Sequence, residues 1–258
     1  LSIPSSTIDP SRYVPAPQHL AGRVILLTGA GSGIGRALAH AFAAAGATVA
    51  LAGKTLRKLE RTYDEIVKAG GPTPALLPID LENALATDYD ALASALDREF
   101  GRLDGLVHNA AILGVRSPII HHDVPTWCRV LQVNLTAEFC LTQVCLPLLE
   151  KSTDASIVFT TSGVGTVGRA YWGAYAVSKF GVEGLAQVLA HEYQGNERLR
   201  VNLINPGATR TDMRAVAYPG EDPRTLKTPA EITAPYLYLL GPEARGVSGQ
   251  RFEAQPPP

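Results

Sequence analysis

Short apolar runs alternate along most of the chain with segments whose apolar residues recur at helical spacing. Val24 to Leu27 is unbroken by any polar residue, which suits a strand buried on both faces, and Arg36 to Ala45 then follows a helical period. The same alternation predicts strands at Thr48–Ala52, Ala75–Ile79, Leu106–His108, Ser156–Thr160 and Arg200–Ile204. Helices are predicted at Leu56–Ala69, Tyr89–Phe100, about Val130–Leu149 and Tyr175–Tyr193. Thr228-Pro229-Ala230-Glu231 offers a hydroxyl cap, a proline at the first helical position and a glutamate at the third. A last helix is therefore expected from there to Leu240, with a short strand near Gln250–Phe252 closing the sheet. This rhythm is that of an α/β chain: a doubly wound parallel sheet of about seven strands with helices on both faces.

No stretch inside residues 21–255 reads as a linker, so one domain is expected over residues 20–258. Residues 1–19 differ. Pro4, Pro10, Pro15 and Pro17 stand among Ser and Thr, and the stretch is expected to be an arm over the surface or a neighbouring subunit. The net charge is −1 with acids and bases intermixed, so no field is expected to draw nucleic acid or an anionic membrane. Cys128, Cys140 and Cys145 form no CxxC pair and have no histidine at metal-ligand spacing. They read as packing residues, and no metal is expected. Without a long apolar run or a basic-then-apolar start, the expected compartment is the cytoplasm.

Three features carry chemistry. Thr28-Gly29-Ala30-Gly31-Ser32-Gly33-Ile34-Gly35 follows the first strand and opens the first helix. Backbone without side chains can turn tightly there and approach a pyrophosphate, whose charge sits on helix N–H groups, as in a dinucleotide-binding Rossmann fold; elsewhere such a string is often only a turn. At the end of the second strand, where a carboxylate would take the ribose hydroxyls, the chain has Lys54, followed by Arg57 and Lys58. A cation there favours the 2′-phosphate of NADP(H) over NAD(H), unless these residues only open a solvated helix. Asp80-Leu81, just past the third strand, could meet the adenine or merely form a turn. Finally, Tyr175 and Lys179 stand four residues apart on one helix face, where an ammonium can ease proton loss from a phenol; as a lone pair this spacing is a common accident of helices.

Together these residues resemble the classical short-chain dehydrogenase/reductase family over about residues 20–255. Thr28 to Gly35 is similar to its TGxxxGxG loop, His108-Asn109-Ala110-Ala111 to its NNAG segment, and Asn134 to its helix asparagine. Ser162 resembles its serine, Tyr175-x-x-x-Lys179 its YxxxK, and Asn205-Pro206-Gly207 the loop after its sixth strand. Within the family, Gly168 to Tyr175, Asn205 to Thr211 and Phe252 to Pro256 look like the bacterial YciK-type oxidoreductases. Two departures stand out: Ala111 replaces a glycine, and Lys54 stands where NADP-preferring relatives usually have arginine.

The resemblance implies an NADP-dependent carbonyl reductase or alcohol dehydrogenase acting on a small to medium substrate. Tyr175 would exchange the proton, Ser162 would hold the substrate oxygen, Lys179 would bind the nicotinamide ribose, and Asn134 would hold a water leading to solvent. It also implies that Asn109 steadies the adenosine side beside Ala110 and Ala111, and that Pro206, Gly207, Thr209 and Thr211 orient the nicotinamide. Ser162 as a turn serine and Asn134 on an exposed face remain the plain alternatives. A substrate lid is expected around 207–228, with further walls from Leu113–Ile120 and Gly163–Trp172. Arg169 and Arg214 could meet an anionic substrate, but facing solvent is the plainer expectation for both. A homodimer or homotetramer is expected from the family. The rival readings are a non-catalytic NADP-binding sensor or scaffold and a Rossmann-like methyltransferase.

Overall fold

The computed structural model describes residues 9–255. Pro4 and Pro256 therefore lie outside the described residues. Seven strands, β1 (Val24–Thr28), β2 (Thr48–Gly53), β3 (Ala75–Pro78), β4 (Gly105–His108), β5 (Ala155–Thr160), β6 (Leu199–Asn205) and β7 (Arg251–Glu253), form one sheet in the order β3-β2-β1-β4-β5-β6-β7. Every pairing is parallel. The helices are α1 (Gly33–Ala44), α2 (Leu56–Lys68), α3 (Ala86–Phe100), α4 (Val124–Leu131), α5 (Ala137–Leu149), α6 (Gly173–Glu192), α7 (Asp212–Ala217) and α8 (Ala234–Leu240).

The unbroken apolar runs of the central strands have a structural cause. Ile25, Leu27, Val49 and Leu51 pack with Leu38 and Phe42 of α1, Leu59 of α2 and Tyr236 of α8. Their neighbours Leu26, Ala50, Ile157 and Phe159 pack on the opposite face with Leu96 of α3, Leu141 and Cys145 of α5 and Val182 of α6. Alternate side chains thus enter two cores, which is why no polar residue interrupts Val24 to Leu27 of β1. A fully buried side chain such as Phe42 contributes about 2 kcal/mol to this packing.

Two expected helices differ most in extent. The helix predicted from about Val130 starts at Val124, because Asp123 caps it by accepting from the Thr126 N–H at 2.8 Å and Pro125 needs no partner for a missing N–H. It then runs through a π-turn at Gln132–Thr136 into α5. The helix expected from Thr228 to Leu240 is split. The capping box forms around a single 3₁₀ turn at Pro229–Ile232, and Pro235, in the first turn of α8, has no N–H with which to continue the hydrogen bonding of that turn, so α8 opens separately. Within 207–228, α7 is capped by Thr211, whose hydroxyl accepts from the Arg214 N–H at 3.1 Å.

A buried ionic network closes the end of the sheet where the strands begin. Arg200 and Asp154, 1% and 4% exposed, pair directly, and Arg23 donates to the same carboxylate at 2.9 Å. Arg200 also donates to the Gly241 carbonyl at 3.2 Å, while Asp104 accepts from the Val24 N–H at 2.9 Å. The described part of the arm lies against α8, where the Tyr13 ring meets Tyr238 edge-on at 5.4 Å.

Candidate active site

Because β1 is flanked by β2 and β4, the chain leaves the sheet centre in opposite directions and a crevice opens at the strand ends between the loops after β1 and β4. Thr28 ties the two loops together. Its hydroxyl accepts from the N–H groups of Asn109 at 2.9 Å and Ala110 at 3.0 Å, and the Asn109 amide donates back to the Thr28 carbonyl at 3.1 Å. Gly29 turns the chain at φ +70°, a conformation that a side chain would strain. A Cβ at Gly35 would lie 2.2 Å from the Gly29 carbonyl oxygen, so only glycine lets α1 start this close to β1. The Ser32 side chain makes no capping bond, and no acidic residue occupies the first turn of α1.

The crevice encloses about 420 Å³. Every site residue expected from the sequence lines it except Gly35 and Asn134: Gly29, Gly31, Ser32, Gly33 and Ile34 of the cradle, Lys54, Asp80 and Leu81 beyond it, and Asn109, Ala110 and Ala111 opposite. Ser162, Tyr175 and Lys179 line the other end, with Pro206, Gly207, Thr209 and Thr211. Gly35 sits behind the lining as a packing glycine. Asn134 is fully buried in the π-turn; its amide oxygen accepts from the Ile112 N–H at 2.8 Å and its nitrogen donates to the Ile112 carbonyl at 2.9 Å. Its side chain thus fixes the loop after β4, and Ser178 takes its remaining proton at 3.2 Å.

At the cradle end, Lys54 lies 3.0 Å from Asp80 and 3.5 Å from Glu82. Burial alone would raise Asp80, yet hydrogen bonds from Asn83, Lys54 and the Glu82 N–H outweigh it and hold the carboxyl below its ordinary range. Lys54 is raised chiefly by its hydrogen bond to Asp80. Thr55, Lys58 and Glu82 also line this end; Arg57 is not part of the lining.

At the other end, Ser162 follows β5 and caps a 3₁₀ turn at Gly163–Gly165, while α6 presents Tyr175 and Lys179 one turn apart. Lys179 is 1% exposed and donates to the Thr160 carbonyl at 2.8 Å. Behind it lie two groups to which the sequence gives no duty. Glu138, on α5, is 2% exposed with its carboxylate 3.6 Å from the Lys179 ammonium. His108, at the end of β4, is fully buried, stacks on Phe159 at 4.7 Å and lies 2.9 Å from the Thr142 hydroxyl. Burial, opposed by Lys179, pushes Glu138 up to about 8; burial, reinforced by Lys179, pulls His108 down to about 3.

The outer wall comes from Leu113, Trp172, Met213, Arg214 and Ala217. Arg214, expected to face solvent, is instead partly buried in a two-pronged pair with Glu221, both contacts 2.6 Å, and stacks on Tyr218 at 3.8 Å. Arg169 is exposed and outside the lining. Among the described residues no cluster of three or more metal-ligating side chains occurs, and no helix is long and apolar enough to cross a membrane.

A parallel sheet of this order, a glycine cradle at its switch point and a Ser-Tyr-Lys set at the other end of the same crevice define a recognisable protein class. The sequence model of the family described as short chain dehydrogenase matches residues 23–222, and the chain belongs to that oxidoreductase family. Over 244 residues it is 49% identical to the uncharacterized oxidoreductase YciK of Escherichia coli (strain K12), covering 95% of this chain and 96% of that protein. Among solved structures it is similar to a short chain dehydrogenase from Pseudomonas syringae, with TM-score 0.93 and 52% identity over 94% of this chain and 98% of that one. It is also similar to a short chain dehydrogenase from Shigella flexneri 2a complexed with NADP, with TM-score 0.91 and 48% identity over 93% of this chain and 100% of that one.

Proposed function

We propose that this oxidoreductase uses NADP(H) to interconvert a small to medium carbonyl compound and its alcohol. The observation that carries the reading is the convergence of Ser162, Tyr175 and Lys179 on the crevice whose opposite end is the glycine cradle. That cradle fits a dinucleotide: Gly29 and Gly35 bring bare backbone to the start of α1, where the helix dipole favours a pyrophosphate. Lys54 and Lys58 would face a 2′-phosphate, Asp80 and Leu81 the adenine, and Asn109 to Ala111 the adenosine ribose. The NADP complex of the Shigella flexneri relative supports this choice.

When bound, NADP(H) supplies or accepts the hydride, chemistry that no side chain provides. Tyr175 gives a proton to the carbonyl oxygen during reduction and takes one from the alcohol during oxidation. Ser162 donates a hydrogen bond to that oxygen and stabilises the charge that gathers on it. Lys179, anchored on the Thr160 carbonyl, lines the crevice and places a positive charge near the phenol. Asn134 holds the loop that carries Ile112 and keeps Ser178 in place. Pro206, Gly207, Thr209 and Thr211 orient the nicotinamide, held by Gln255, whose amide donates to the carbonyls of Pro206 at 2.8 Å and Ala208 at 3.0 Å. The segment 207–228, clamped by Arg116 on Trp172 and Tyr218, forms the substrate lid. Exposed Phe139 of α5 and Val177, Phe180 and Val188 of α6 support assembly into a dimer or tetramer.

The test is nicotinamide absorbance during incubation with a panel of aldehydes, ketones and alcohols, using both cofactors. Tyr175→Phe is expected to lower turnover by roughly a hundredfold or more while cofactor affinity stays near wild type. Equal turnover in the variant would remove Tyr175 from the mechanism.

A further inference from the structure

Glu138 is an anomaly of composition and of place. It stands in α5 among Ala137, Leu141 and Cys145, it is 2% exposed, and neither carboxyl oxygen has a hydrogen-bond partner. Its one polar neighbour is the Lys179 ammonium at 3.6 Å, too long for a hydrogen bond. Lys179 meanwhile spends one of its protons on the Thr160 carbonyl at 2.8 Å. Removing a buried charge from water without full pairing is unfavourable, so the carboxyl has reason either to hold a proton or to draw on the lysine's charge.

We propose that Glu138 is a positioning residue that sets how much of the Lys179 charge acts on Tyr175. This rests on the assignment of Tyr175 and Lys179 as the proton-transfer pair. With its proton on, Glu138 is neutral and the full ammonium charge faces the crevice. With its proton off, the carboxylate compensates that charge from behind and weakens the pull of Lys179 on the phenolic proton. The exchange falls in a physiological range, since burial opposed by Lys179 places the Glu138 carboxyl at about 8.

The surroundings leave Glu138 as the group able to make this change. From β4, His108 is held neutral, and its Nε2 shares the Thr142 hydroxyl at 2.9 Å while that hydroxyl donates to the Glu138 carbonyl at 2.7 Å. From β5 the neighbour is the Thr160 carbonyl, which is not titratable. On α5 itself, burial pushes Cys145 up to about 12, so it stays a neutral thiol. On α6, Glu183 stands one turn beyond Lys179 but is committed to the Thr161 hydroxyl at 2.7 Å and to Arg251 at 3.0 Å.

Difference infrared spectroscopy of the folded protein, without substrate or cofactor, tests the proposal directly. A protonated-carboxyl band is expected at neutral pH, disappearing as pH rises through about 8. It should be absent in Glu138→Gln and should persist to a pH higher by at least roughly half a unit in Lys179→Met, where the stabilising cation is gone. A wild-type protein without the band at neutral pH, or a band that ignores Lys179→Met, overturns the proposal. Should Glu138→Gln fold poorly, Glu138→Thr gives the same assignment. For turnover, the ratio of the Glu138→Gln rate to the wild-type rate is expected to rise severalfold above that transition; a ratio independent of pH would count against the coupling. Because the infrared result needs no turnover, its failure is separate from failure of the oxidoreductase reading.

Discussion

Lys54 approaches Asp80 to 3.0 Å and Glu82 to 3.5 Å, so the cation that would meet a 2′-phosphate already answers two carboxylates. A phosphate must share Lys54 with both, and the acids also repel it across an exposed, well-screened site. Glu82→Gln is therefore expected to tighten NADPH binding by roughly threefold with little effect on NADH, and Lys54→Ala to reduce the preference for the phosphorylated cofactor by roughly tenfold. Titration of the bound-nicotinamide fluorescence with each cofactor checks both.

Glu138 and His108 give the stability a pH dependence of opposing parts. Glu138 is raised in the fold from its ordinary 4.5 to about 8, so its stabilising contribution is full below 4.5 and is lost as pH climbs to about 8. His108 is lowered from 6.5 to about 3, so its contribution grows as pH climbs from 3 to 6.5. The two cancel where their windows overlap, and above 6.5 the loss from Glu138 is exposed, with a slope of up to ~1.4 kcal/mol per pH unit. Denaturant midpoints across this range should show wild type falling above 6.5 while the gap to Glu138→Gln widens up to about 8.

The ionic network at the far end of the sheet bears on folding and not on chemistry. Asp154→Asn leaves Arg200 buried with its charge uncompensated and is expected to cost about 3–5 kcal/mol, measured by denaturant unfolding. Cofactor affinity of the folded fraction should be unchanged, since neither residue lines the crevice.

Gly35→Ala places a methyl group 2.2 Å from the Gly29 carbonyl and 2.6 Å from the Asn109 amide. Both are parts of the cradle, so the change is expected to lower stability by about 1–3 kcal/mol and to weaken either cofactor at least roughly tenfold. Calorimetric unfolding and cofactor titration of the same preparation read the two effects together.

The strands were legible because β1 and its neighbours are buried on both faces, and a continuous apolar run has few other meanings. The cradle and the Tyr175–Lys179 spacing were legible because each is a local pattern. What escaped depends on contacts between distant positions. Lys54 was readable as a cation, but its partners Asp80 and Glu82 arrive on another strand's loop. Asn134 was readable as a polar residue with a duty, yet its bond to Ile112 depends on the π-turn, which no periodicity announces. Glu138 was hidden because one acid in an apolar helix reads as its exposed face until α6 is packed against it. Asp123 and Pro125 mark the early start of α4 in the sequence itself, and Pro235 likewise marks the break before α8.

The Thr28–Asn109 link joins positions 81 residues apart. Nothing local can rehearse that pairing, so during folding the loop after β1 has no opposite wall until β4 has docked, and closing so long a loop is slow. The crevice accordingly cannot precede the docking of β4: a chain holding only β1 to β3 and their helices would be unable to grip a nucleotide, and ligand-dependent protection should not emerge before β4 is in place.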